Sequence, residues 1–161
     1  LIFGVREMGK RYDDFQYKIV LLVIDYQIDE KGKIQLGEEM KAIYEFNPFK
    51  QNFPKLQLPI ALSSIEYDIH HKHFYLTTSF EHDEKLGAYL WILDQKSIKH
   101  GTAPQLIKTI EGIPFEMSHK AEAVSIIEKN KLLIIHDDDR TLIGGREPHQ
   151  SAFQILEIQK P

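Results

Sequence analysis

Glutamates recur at matching places in two similar stretches of this chain. Glu66 sits in Ser64-Ile65-Glu66-Tyr67-Asp68 and Glu122 in Lys120-Ala121-Glu122-Ala123-Val124, about 56 residues further on. Arg6 and Glu7 stand near the N-terminus, and Asp137-Asp138-Asp139-Arg140 follows a later apolar stretch. Carboxylates that converge bind a hard cation such as Ca²⁺ through oxygen, or share protons at raised pKa. The competing role is stapling. Each Glu would then accept hydrogen bonds from turn amides, or pair with an arginine such as Arg6 or Arg140.

Other groups carry less. Asp137–Asp139 lacks the alternating ligands, Gly and final Glu of an EF-hand loop. On a continuing strand, Asp137 and Asp139 would share a face and could chelate a metal together with Glu122 or His119. A solvated strand end is the alternative. His70-His71-Lys72-His73 reads as an exposed polar hairpin whose side chains diverge and lack a nearby carboxylate. His119 and His136 flank the acidic motifs, either as a general base or as hydrogen-bonded core or rim residues. Ser63-Ser64 has no identifiable base, and no Gly-x-Ser-x-Gly elbow or Walker loop is present. Gly144-Gly145 is too slight a signal for phosphate binding. Trp91 lies in an apolar strand beside Tyr89, which fits packing between sheets better than ligand stacking.

The elements that must position these groups are short apolar segments rich in β-branched and aromatic residues. They are Leu1–Val5, Tyr17–Tyr26, Ile60–Tyr67, Phe74–Phe80, Ala88–Leu93, Ala123–Ile127, Leu132–His136 and Ala152–Ile158. Turn signals such as Asp29-Glu30-Lys31-Gly32-Lys33, Asn47-Pro48, His100-Gly101 and Lys129-Asn130-Lys131 separate them. Glu38–Phe46 and Leu86–Gln95 also have helical character, but a flanking Asn-Pro and β-rich aromatics favour strands.

The two glutamate stretches share one plan: apolar residue, Glu, short strand, hairpin turn, apolar strand. Further strand pairs follow, as in Tyr17–Asp29 with Ile34–Phe46 and Tyr89–Leu93 with Gln105–Ile110. Four antiparallel strands in a repeat of roughly 40–60 residues describe a propeller blade. The chain therefore reads as all-β, a single partial β-propeller domain over residues 1–161 with about two and a half blades. Leu1–Val5 reads as mid-strand, so an N-terminal part is expected to be missing. In a propeller the leading strands line a central channel. That makes Arg6, Glu7, Glu66, His119, Glu122 and Arg140 the expected binding residues at its mouth, and Glu66, Glu122, Asp137 and Asp139 the expected metal set. An open stack leaves sheet faces and edges bare. Missing blades or a second copy of the chain would complete it.

Composition sets outer limits. The 161 residues carry a formal net charge of −4, with 42% hydrophobic and 27% charged residues. These values suit a globular protein and argue against nucleic acid as the main partner. With no cysteine, disulfides, Cys-ligated zinc and thiol catalysis are excluded. No apolar run approaches the roughly 18 residues needed to span a membrane. The compartment stays open.

Gly4-Val5-Arg6-Glu7-Met8-Gly9, Leu62 to Asp68, Gly87-Ala88-Tyr89-Leu90-Trp91-Ile92-Leu93, His119 to Ala123 and His136 to Arg140 together resemble the C-terminal blades of bacterial propeller proteins of unknown function. This group includes the DUF3616 domain and is distantly similar to the esterase-like phytase propellers. Its blades tend to open on Glu-Gly, where this chain has Glu66-Tyr67 and Glu122-Ala123. The resemblance implies fold and no established substrate. Two functions follow as expectations. One is a binding module taking a small ligand or protein over the channel mouth. The other is a metal-assisted phosphoester or ester hydrolase, with Ca²⁺ on the channel carboxylates and a metal-activated water as nucleophile.

Overall fold

A computed structural model describes residues 1–10, 17–48, 53, 56–57, 59–82, 85–137 and 150–158. Eleven strands and one short helix are present among them, and every strand pairing is antiparallel. The expected all-β, antiparallel class holds. The first sheet has the order β1 (Ile2–Val5), β2 (Ile19–Ile28), β3 (Ile34–Phe46). The second has β4 (Ala61–Asp68), β5 (His73–His82), β6 (Lys85–Asp94), β7 (Gln105–Leu106), with β8 (Glu116–Met117) also on β6. The third is β9 (Ala121–Glu128), β10 (Lys131–His136), β11 (Ala152–Glu157). β4 touches both β1 and β9.

The sheets hold three, five and three strands among the described residues, not four each. In the second sheet the departure has a simple cause. β7 pairs with Trp91 and Ile92 of β6, while β8 pairs with Ala88 and Tyr89 of the same edge. The two are one outer rank, interrupted where the chain leaves the sheet between Ile107 and Phe115. There Lys108 bridges Pro114, the Thr109 N–H donates to Ile113 O, and Gly112 at φ 78° closes the turn. Strand pairing was expected to continue from Gln105 to Ile110, but it stops at Leu106 because the hairpin turns away. Its tip residue Ile110 is 97% exposed.

A second difference is α1 (Gln95–His100), which follows β6 directly. Asp94 caps it, its Oδ1 accepting from Ser97 N at 2.6 Å, and Gly101 ends it in the left-handed region at φ 62°.

The middle sheet is buried on both faces, which explains why β6 is apolar almost throughout. Tyr89, Trp91 and Leu93 face the first sheet, against Ile19, Leu21, Tyr44 and Phe46. Ala88 and Leu90 face the third, against Ala121, Val124, Leu132 and Ile134. Trp91 packs edge-on against Phe46 and Phe53 and donates its indole N–H to Thr78 Oγ1 at 2.9 Å.

The outer faces of the end sheets are different. Ile135 of β10 pairs with Phe153 of β11, and their face is turned away from the buried Leu132 and Ile134. Phe153 and Ile155 there are 66% and 56% exposed. On the first sheet, Tyr26 opposite Leu36 and Ile28 opposite Ile34 also lie exposed. No helix among the described residues is long and apolar enough to cross a membrane.

Candidate functional site

The charged residues expected at the strand leads do meet in part. Arg6 follows β1, Glu122 stands at the start of β9, and Lys120 precedes it. Arg6 Nη1 lies 3.8 Å from Glu122 Oε2, and Lys120 Nζ lies 3.5 Å from Glu122 Oε1. Arg6 Nε also bonds Glu7 Oε1 at 3.3 Å, and Lys120 lies 4.0 Å from Glu81. Each carboxylate oxygen of Glu122 thus has a cation beside it. A shallow groove of about 420 Å³ runs here, lined by Gly4, Arg6, Glu122 and Leu62 to Ile65 of β4.

Serines at and beside this groove link β4, β5 and β9. Ser63 and Ser79 share a hydroxyl bond at 2.8 Å, Ser79 Oγ donates to Ala121 O, and Ser64 Oγ accepts from Val124 N. His119 and His136 approach with ring centroids 5.5 Å apart. His136 is buried, its Nε2 3.2 Å from Gln154 Oε1. Asp137 is exposed just past β10, its N–H donating to Lys120 O. Asp138, Asp139, Arg140 and Gly144-Gly145 lie outside the described residues.

Glu66 belongs to another neighbourhood. It pairs across the ladder with Tyr75, one pleat along from Asp68 opposite His73. Cross-strand partners share a face, and Tyr75 is on the face toward the third sheet. Glu66 and Asp68 therefore stand on that face, roughly 7 Å apart along β4.

Asp68, His71 and His73 form the one cluster of three metal-capable side chains among the described residues, their ligand atoms all within 4.8 Å of one another. Asp68 ends β4 and is fully buried. Its Oδ1 accepts from the N–H groups of His70 at 2.8 Å and His71 at 3.0 Å, and its backbone O accepts from Lys72 N at 2.7 Å. Those bonds, with Lys72 in the left-handed region at φ 56°, close the hairpin and fix the carboxylate. Oδ2 is left for the rings: 2.7 Å to His71 Nδ1 and 3.9 Å to His73 Nε2. The rings of His71 and His73 lie nearly parallel, 5.6 Å apart.

This corrects the view of His70–His73 as a diverging, exposed turn. His71 and His73 are half-buried and converge, and their carboxylate partner lies only three residues before His71. The spacing Asp-x-x-His-x-His was the signal that could have found it.

Electrostatics in the cluster follow from burial and hydrogen bonding. Burial pushes the Asp68 carboxyl upward, but bonds from the His71 ring and the His71 and His70 amides outweigh it and hold it below its ordinary value. Burial keeps His73 below the usual histidine range, against the opposing pull of Asp68. Both effects favour a carboxylate at Asp68 and a neutral imidazole at His73. Nε2 of His71 and Nε2 of His73 are buried without a hydrogen-bond partner among the described residues. A buried polar atom left so costs about 1–3 kcal/mol.

His71 and His73 also line a cleft of about 1280 Å³ between the second sheet and the edge of the third. Tyr75, Ile92 and Leu106 form one wall, the Lys108–Pro114 hairpin another, and Asn130 and Ile158 of the third sheet's edge a third. Chemically, the cluster offers two nitrogen donors and one oxygen donor at the end of an open, largely apolar cleft.

No family model, no curated protein and no solved structure matches this chain.

Proposed function

We propose that this chain is part of a β-propeller and acts as a non-enzymatic binding module, in which further blade-like sheets cover its two end faces. The observation carrying this reading is the set of exposed apolar residues on both end sheets: Phe153, Ile155 and Ile135 on the outer face of the third, and Tyr26, Ile28, Ile34 and Leu36 at the far end of the first sheet's β2–β3 hairpin. Contiguous exposed apolar residues mark surfaces that other protein covers. The two-sided burial of the middle sheet gives a template for how the end sheets would pack. Contact of β4 with β1 and β9 is the neighbour relation that leading strands of successive blades would have.

In this reading the Arg6–Glu122–Lys120 network staples leading strands at the channel mouth and borders the groove where a ligand or protein would sit. The hydrolase alternative has less behind it. Glu122, its best carboxylate, already lies between two cations, and no described group of three ligands includes Glu66 or Glu122.

Light scattering and binding of a hydrophobic dye test the end faces. The chain should self-associate or bind dye strongly, and a Phe153→Lys, Ile155→Lys double variant should reduce both. A monomeric, dye-silent chain that the double variant leaves unchanged would overturn the proposal.

A further inference from the structure

We propose that Asp68, His71 and His73 form a binding site for a divalent first-row transition ion of the Zn²⁺ class, with its remaining coordination positions facing the cleft between the second and third sheets. The site rests on its own geometry and does not depend on how the end faces are covered.

Three observations carry it. The first is donor type. Two imidazoles and one carboxylate suit Zn²⁺, Fe²⁺ or Co²⁺, whereas Ca²⁺ takes six to eight oxygens. The second is preorganisation. The Asp68 carboxylate is anchored through Oδ1 by two backbone amides, so Oδ2 keeps its place beside His71 and His73 without the ion. A buried site that needs little rearrangement loses little on binding. The third is the pair of unpartnered ring nitrogens. Nε2 of His71 and Nε2 of His73 are both out of solvent and unbonded, and ligation by His73 Nε2 would occupy one of them directly.

The spacing is also consistent. Donors about 2.0–2.2 Å from a tetrahedral or octahedral ion lie roughly 3–3.5 Å apart, so the 3.9 Å between His73 Nε2 and Asp68 Oδ2 must close slightly and the 2.7 Å between His71 Nδ1 and Asp68 Oδ2 must open as the ion replaces their hydrogen bond. Three protein ligands leave at least one position open. His71 and His73 line the cleft, so that position is open to water or to a small anionic ligand entering from it.

The test uses the whole chain with Zn²⁺, Co²⁺ and Ca²⁺ as probes. Zn²⁺ at a hundredfold excess over its Kd should raise the melting temperature by roughly 5–10 °C, and Ca²⁺ should not. Co²⁺ should bind one per chain with visible absorption bands of nitrogen and oxygen coordination. His71→Ala and His73→Ala should each weaken Co²⁺ binding at least tenfold, with far-UV circular dichroism confirming that both fold. His70→Ala, in the same turn but outside the cluster, should bind like the parent. Absence of one-per-chain binding overturns the proposal, as does equal binding by the His71→Ala, His73→Ala double variant, which would assign the ion to other histidines.

Discussion

Asp68 does two jobs with one carboxylate. Oδ1 completes the turn by accepting two amides, while Oδ2 faces the imidazoles. The first job predicts a stability effect separate from any metal. Asp68→Ala removes the acceptor shared by two turn amides and the partner of the His71 ring, and should cost about 2 kcal/mol, read from urea unfolding without metal. Asp68→Asn, which keeps an acceptor at Oδ1, should cost markedly less. Sequence reading missed this residue because it weighed His70–His73 as isolated side chains on a turn. Turn chemistry decides the matter instead: an Asp at the strand end, bonded to the amides two and three residues later, folds the histidines back over its own carboxylate. Glu122 stands near the start of β9, and an arginine partner was one of the two roles its sequence left open. That the partner is Arg6, joined by Lys120, depends on packing between sheets that no local pattern encodes.

Strands are the best-read elements, and the reasons are local. β5 and β6 pair in unbroken register from His73 with Asp94 to His82 with Lys85, and both are dense in β-branched and aromatic residues. Gly87 shows how tightly they are covered. A Cβ there would lie 2.6 Å from Met117 O and 2.6 Å from the Phe80 ring, so β8 can approach only because the position is glycine. Gly87→Ala should destabilise the chain by about 2 kcal/mol and lower its melting temperature. Wild-type stability in that variant would mean β8 does not seat against the sheet. What sequence left unread at this scale is irregular: the short helix Gln95–His100, and the outer rank split into β7 and β8 by a hairpin. Both are set by single capping and turn residues, Asp94, Gly101 and Gly112, within segments whose apolar pattern is too short to carry a period.

Across the whole molecule, apolar packing dominates and ion pairs contribute little. The Arg6–Glu122 pair is long at 3.8 Å, with its side chains 42% and 33% exposed. Arg6→Ala should therefore change unfolding stability by less than about 1 kcal/mol, and the difference should shrink further in high salt. A loss well above that would make the network part of the core. The two cores also explain why the three-sheet arrangement was partly visible in advance: one run apolar on both sides, β6, must have a layer over each face. Nothing comparable in sequence marks the cleft, whose walls come from stretches of chain far apart in sequence, from His71 to Ile158.

That sandwiched middle sheet has a consequence for how the molecule opens. Amides of β5 and β6 can reach solvent only after one of the neighbouring sheets has swung away, whereas β3 and β11 border water already. Native-state hydrogen exchange should therefore be graded by layer. The β5–β6 amides should exchange last, at the free energy of global unfolding, and those of β11 and the distal half of β3 much earlier. Uniform protection across all three sheets would instead mean that the layers unfold as one cooperative unit, with the central pair holding no privileged place.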